Sequence, residues 1–83
     1  MSRDFEQRLD DIIESCNRVA DYIQGYDLAK FEDDYKTQDA VIRQFEIIGE
    51  AVKHLPEGVK LQEPAIPWRQ FAGFRDVLAH SYF

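Results

Sequence analysis

The residues with the most chemical content lie together in the segment Phe74-Arg75-Asp76-Val77-Leu78-Ala79-His80-Ser81-Tyr82-Phe83. It presents an arginine, a histidine five positions on and a tyrosine two further. A neutral imidazole near neutral pH can take the proton from a ribose 2′-hydroxyl. A guanidinium can hold two phosphate oxygens and the charge that grows on them. Arginine and histidine are therefore the pair that RNA cleavage needs when no metal takes part. His80 is the candidate general base, and Arg75 the candidate for stabilising a pentacoordinate phosphorane. Asp76 stands four residues before His80, on the same face of a helix, where a carboxylate can fix the imidazole tautomer.

The spacing carries a constraint. At about 100° per residue, Arg75 and His80 lie about 140° apart around a straight helix. One helix alone does not bring them to one face. A two-fold axis close to this helix would gather Arg75 and His80 of two subunits into one cleft. Arg75 and Tyr82 are seven apart and nearly eclipse. A plainer reading stands beside this one: a solvated histidine at a helix end and an ordinary Asp76–His80 surface pair. An arginine with a histidine five later arises readily by chance, and the tyrosine two residues on makes the pattern more specific.

The elements that must hold these residues are helical. Over residues 5–24, Phe5, Leu9, Ile12, Ile13, Cys16, Val19, Ala20 and Ile23 follow the 3.6-residue spacing. Asp4 or Ser2 can cap the start, and Gly25 suits the left-handed end. Asp27 to Asp33 predicts a short helix with Leu28 and Phe31 turned inward. Tyr35 to Leu55 is the longest, with Ala40, Val41, Phe45, Ile48, Ala51, Val52 and Leu55 on its apolar side. Ile42 and Ile47 widen that stripe beyond one face, which suggests a second partner. Residues 56–67 read as a loop through Gly58, Pro64 and Pro67. Pro67 suits the first position of a final helix from Trp68 to about His80. No segment alternates as a strand. The expected fold is a small all-α bundle of three long helices and one short one.

Length and composition narrow the function. Eighty-three residues make one domain at most, here 1–83. A chain of this size buries only about 60% of its extended surface, so self-association into a dimer is favoured. The apolar fraction of 45% is too high for a disordered chain. No run nears the roughly 18 apolar residues of a membrane span, and the first residues hold no signal-peptide apolar stretch. The expectation is a soluble cytoplasmic protein. Cys16 has no partner for an internal disulfide and no basic neighbour to activate it, so it reads as a small core residue. No cysteine–histidine cluster suits zinc, and no phosphate loop occurs, so no cofactor or metal is expected. Residues 1–52 carry net charge −7 and residues 53–83 carry +1. Only the latter third tolerates a phosphate backbone.

The string Ile66-Pro67-Trp68-Arg69, leading through Gly73-Phe74-Arg75-Asp76 to His80-Ser81-Tyr82-Phe83, resembles the HEPN superfamily, and specifically its HepT-like branch. Thr37-Gln38-Asp39-Ala40-Val41-Ile42-Arg43 and Ile47-Ile48-Gly49-Glu50-Ala51 are similar to that branch's long helix. The resemblance implies an all-α homodimer with a metal-independent endoribonuclease site in a cleft between subunits. It implies a toxin whose antitoxin is a minimal nucleotidyltransferase that attaches AMP to the motif tyrosine, here Tyr82. It also implies one more helix after the motif, which these residues do not include.

The other polar and aromatic residues read more blandly. Trp68 is a core or interface anchor rather than a stacking platform for a base. Glu50 either lines the dimer cleft or is solvated. His54 caps its helix, and Arg69 is a possible second phosphate contact. Two other functions compete with a ribonuclease: a non-catalytic module that binds a partner through the final helix, and a family member that has kept the fold and lost cleavage. The acidic charge favours these two, and the intact motif favours the enzyme.

Overall fold

Capping acids and prolines divide the chain into five helices. The computed structural model describes the backbone of residues 2–81 and the side chains of residues 4–78. In order these are α1 (Ser2–Tyr22), α2 (Leu28–Glu32), α3 (Tyr35–Lys53), α4 (Glu57–Leu61) and α5 (Trp68–Ser81). Gly25 takes the positive φ of 79° that turns the chain after α1. The Asp27 carboxylate accepts from the Lys30 N–H at 2.8 Å and starts α2. Asp34 starts α3 in the same way, accepting from the Thr37 N–H at 3.0 Å. Among the described residues there is no strand, and the all-α expectation holds.

One element departs from the sequence reading. Residues 57–61 form α4 rather than continuous loop. Pro56 sets the extended backbone that precedes it, and Glu57 places negative charge in its first turn. Pro67 stands just before α5, and its carbonyl accepts the first bonds from the Gln70 and Phe71 N–H groups.

The central element is α3, which packs extensively against both α1 and α5 and more lightly against α2. Val41, Ile48, Ala51 and Val52 are buried on it, as are Leu55 just after its end and Leu78 on α5. This accounts for the wide apolar stripe: α3 has two long intrachain neighbours, so its width does not require a second chain. On α1 the inward line runs through half-buried Phe5, Leu9, Ile12, Val19 and Tyr22, with Ser15 buried among them. Cys16, expected in the core, is exposed, and Ile13 is 58% exposed. The helix is rotated toward Ser15, a step that periodicity alone cannot fix when Ile12 and Ile13 are both apolar. Among the described residues no helix is long and apolar enough to cross a membrane.

The α2–α3 corner is fastened by one carboxylate. The Tyr26 hydroxyl donates to Asp34 Oδ2 at 2.6 Å, and the Thr37 hydroxyl donates to the same oxygen at 2.7 Å. Gln38 Nε2 donates to the Phe31 and Glu32 carbonyls at 2.8 and 2.9 Å and closes the end of α2. The Tyr26 hydroxyl, followed by the Thr37 N–H and hydroxyl, lowers the Asp34 pKa from 3.8 to about 2. A folded-state value below the unfolded one gives stability that is fully present above 3.8 and is lost as pH falls through about 2. Tyr26→Phe removes the largest of these causes. Its acid unfolding, followed by far-UV circular dichroism, should begin at higher pH than that of the wild type. Coincident acid transitions would show that this hydroxyl does not stabilise the corner.

Candidate functional site

The site forms where α5 crosses α3 at Gly49. A Cβ placed on Gly49 would collide with the Arg75 Cβ and lie 2.7 Å from the Phe71 carbonyl oxygen. Only glycine allows the helices to approach this closely without a shift of backbone. Glycine in the middle of a helix lowers its intrinsic stability by up to about 1 kcal/mol, so its presence marks a packing need. Around this crossing, Phe74 sets its ring edge-on to Phe45 at 5.9 Å. Buried Leu78 anchors α5 one turn after Arg75. The Trp68 indole N–H donates to the Lys60 and Glu63 carbonyls at 3.0 and 3.1 Å and fixes the start of α5.

Four charged side chains run across the crossing in a line. Arg75 Nε lies 3.0 Å from Glu50 Oε1. Nε is closed off from solvent but not aligned for a hydrogen bond, so this contact is an ion pair held by charge. Arg75 Nη1 lies 3.4 Å from Asp76 Oδ1, and Lys53 Nζ donates to that same oxygen at 2.7 Å. Lys53 first, and Arg75 after it, hold the Asp76 carboxyl below the usual carboxylate range. At the other end, Glu50 Oε2 lies 3.5 Å from His54 Nδ1, and that nitrogen also lies 2.9 Å from the Glu50 carbonyl.

Arg75 faces a cavity of about 210 Å³ that Arg8, Asp11, Arg43, Glu46 and Glu50 also line. A guanidinium has five N–H donors in a planar fork. Among the described residues no ion pair or hydrogen bond takes up Nη2. Its two hydrogens, beside the remaining one on Nη1, leave an edge suited to two oxygens of a phosphate. Among the described residues no group of three or more His, Cys, Asp or Glu stands together as metal ligands.

Of the residues singled out by sequence, the structure brings Arg75 and Asp76 into one network with Glu50. His80 belongs to α5 by its backbone, while its side chain and the whole of Tyr82 lie outside the described residues. Arg69 is placed elsewhere, in a groove of about 730 Å³ with Lys53, Lys60 and Trp68. The sequence reading missed Lys53 as the partner of Asp76, because 23 residues separate them and no local pattern links the two. Glu50 carried a signal: it follows a glycine in a helix interior, and such a glycine marks a close approach.

A family model described as ribonuclease HepT-like matches residues 12–83. The chain belongs to the HepT-like ribonuclease family. It is 43% identical over 83 residues to "Probable ribonuclease HepT" of Thermococcus cleftensis, covering all of this chain and 76% of that protein. A Methanocaldococcus jannaschii protein with a provisional RNase name is 43% identical over 81 residues, which are 98% of this chain and 67% of that one. A Caldanaerobacter subterraneus protein, also provisionally named an RNase, is 37% identical over 75 residues, 90% of this chain and 67% of its own length. No solved structure matches the chain significantly. Membership supports a ribonuclease-type function, and the HepT-like match takes in the α3–α5 crossing and the segment from Arg75 to Tyr82.

The crossing makes a stability prediction. Gly49→Ala meets Arg75 Cβ and a backbone carbonyl, neither of which can swing aside. It should cost about 1–3 kcal/mol, the usual range for overpacking. Gly58→Ala, in α4 with open space around it, should be neutral or slightly stabilising. Urea unfolding of the two variants checks the contrast, and equal midpoints would show that the crossing is loose.

Proposed function

We propose that the protein is a metal-independent endoribonuclease toxin acting in the cytoplasm, cleaving RNA in a cleft formed by a homodimer. The observation that carries this reading is the Arg75 guanidinium, held by Glu50 and Asp76 with no partner on Nη2 among the described residues, in the same helix as His80. In the reaction, His80 removes the proton of a ribose 2′-hydroxyl. The 2′ oxygen attacks the adjacent phosphorus, and Arg75 takes the charge of the phosphorane. The bond to the 5′ oxygen breaks, and an imidazolium returns a proton to that oxygen. The products are a 2′,3′-cyclic phosphate and a 5′-hydroxyl. Asp76 Oδ1 is occupied by Lys53 and Arg75. Its Oδ2 is left to orient His80, one helical turn on.

The dimer answers the angle between Arg75 and His80, since a two-fold axis near α5 unites two half-sites. Phe74 and Val77 support it, being 43% and 57% exposed on α5 itself. The same two residues favour the second reading, a non-catalytic module that binds a partner protein through α5. Purified protein incubated with total RNA and EDTA separates the two. Cleavage should persist, leave cyclic phosphate ends, and fall by roughly 10² or more in His80→Ala and in Arg75→Ala, the usual scale for a general base or an oxyanion-type donor. Sedimentation of the same sample should give a dimer. Loss of cleavage in EDTA removes the assigned roles of His80 and Arg75, and intact RNA in every condition favours the interaction module.

We further assign Tyr82 as the site where a nucleotidyltransferase antitoxin acts. The Tyr82 hydroxyl oxygen attacks the α-phosphorus of ATP, pyrophosphate leaves and the phenolic proton is released. Seven residues from Arg75 on a continuing helix, the attached phosphodiester would pair with the guanidinium and occupy the place of the scissile phosphate. Modification should abolish RNA binding and cleavage without unfolding the protein. Tyr82→Phe should keep most of the cleavage and become insensitive to the antitoxin. Intact mass after incubation with ATP, Mg²⁺ and the nucleotidyltransferase reads the outcome, and a modified protein that still cleaves at full rate would overturn it.

A further inference from the structure

We infer that Glu50 is the positioning residue for Arg75, acting on catalysis through the guanidinium and not on the substrate; this rests on the ribonuclease reading above. Three features carry it. Glu50 Oε1 reaches Arg75 at Nε, the nitrogen nearest the chain, so it fixes the plane of the guanidinium while leaving the Nη2 edge outward. Nε is shut away from solvent with no aligned acceptor among the described residues, so the Glu50 charge is what compensates its desolvation most directly. Glu50 is itself held from behind, with His54 Nδ1 against both its Oε2 and its carbonyl. The Gly49 crossing sets the distance, because a wider separation of α3 and α5 would put Nε beyond the carboxylate.

The chemistry separates two roles that an acid beside a catalytic arginine can have. A competitor for the guanidinium would weaken phosphate binding, and its removal would raise activity. A positioning group fixes a long, rotamer-rich side chain before substrate arrives, and its removal lowers the rate of the chemical step. The contact favours positioning, since it engages Nε and leaves the Nη1–Nη2 fork for the phosphate.

The test is a double-mutant cycle in the full chain. Glu50→Gln keeps the shape and removes the charge. It should lower kcat about tenfold or more with little change in KM, and change kcat less than about twofold in the Arg75→Ala background, because a group acting only through Arg75 has nothing left to act on. A second readout does not use activity. The Arg75 Nε–H proton, buried in the wild type, should give a resolved, slowly exchanging NMR signal that moves to the averaged arginine position in Glu50→Gln, while circular dichroism stays unchanged. Glu14→Gln, which touches only the exposed Arg18 on α1, is the control and should alter neither. Equal losses in both backgrounds, a rise in kcat, or an unmoved Nε–H signal would overturn the assignment while leaving the ribonuclease reading intact. If the wild type cleaves no RNA, that reading falls, and the catalytic role of Glu50 falls with it.

Discussion

Everything at the site depends on the close crossing of α3 and α5 at Gly49. The charges at the crossing do not hold the helices together. Glu50 and Arg75 are 42% and 30% exposed, and a pair so open to water contributes roughly 0–1 kcal/mol. Burying one leucine-sized side chain contributes about 1.5–3 kcal/mol. Ile48, Ala51 and Val52 of α3 are buried, as are Leu55 just after it and Leu78 of α5. Apolar packing therefore sets the distance between the helices, and glycine permits it. The ion pairs then act at a distance already fixed. Their effect is on orientation, where a weak contact suffices because the backbone has already been ordered.

The helices were legible because periodicity reports burial, and burial is what stabilises them. Leu28, expected to turn inward, is 71% exposed; the other two misplacements lie in what periodicity cannot register. In α1, apolar residues at 12, 13, 16, 19, 20 and 23 describe a broad arc, and the seam within that arc is chosen by α3, a partner distant in sequence. The structure chooses Ser15 over Cys16. In residues 57–61 the helix is too short for periodicity to register, and Gly58 and Pro56 look like breakers. Pro56 instead stands at a helix start, where its missing N–H costs nothing. The wide stripe of α3 suggests self-association, yet two long helices pack on it within the chain.

The site was legible to the extent that it is local. Arg75 and Asp76 stand out in one heptad, and the fold brings them into one network with Glu50 and Lys53. Glu50 and Lys53 complete the network from another helix, and helix-to-helix register is not written in any short motif. Their spacing does become intelligible afterwards. Gly49 and Lys53 are four apart, Glu50 and His54 four apart, so each pair rises along one side of α3. One side meets Asp76 through Lys53, and the next meets Arg75 through Glu50.

The charge of this network bears on how an acidic protein could act on a polyanion. Glu50 and Asp76 against Arg75 and Lys53 sum to no net charge. A phosphodiester arriving at the crossing meets oriented donors and little long-range attraction. In the proposed reaction the substrate phosphate carries one negative charge, and the phosphorane adds about one more at the moment of attack. Donors fixed in advance, on a cluster that is neutral beforehand, bind the first charge weakly and the added one well. A cluster with excess positive charge would hold substrate and product too, lowering KM without raising kcat. In that proposed reaction, two carboxylates around Arg75 would restrain ground-state binding while keeping the guanidinium ready for the transition state. This is why acids can stand at the site of an enzyme that works on RNA.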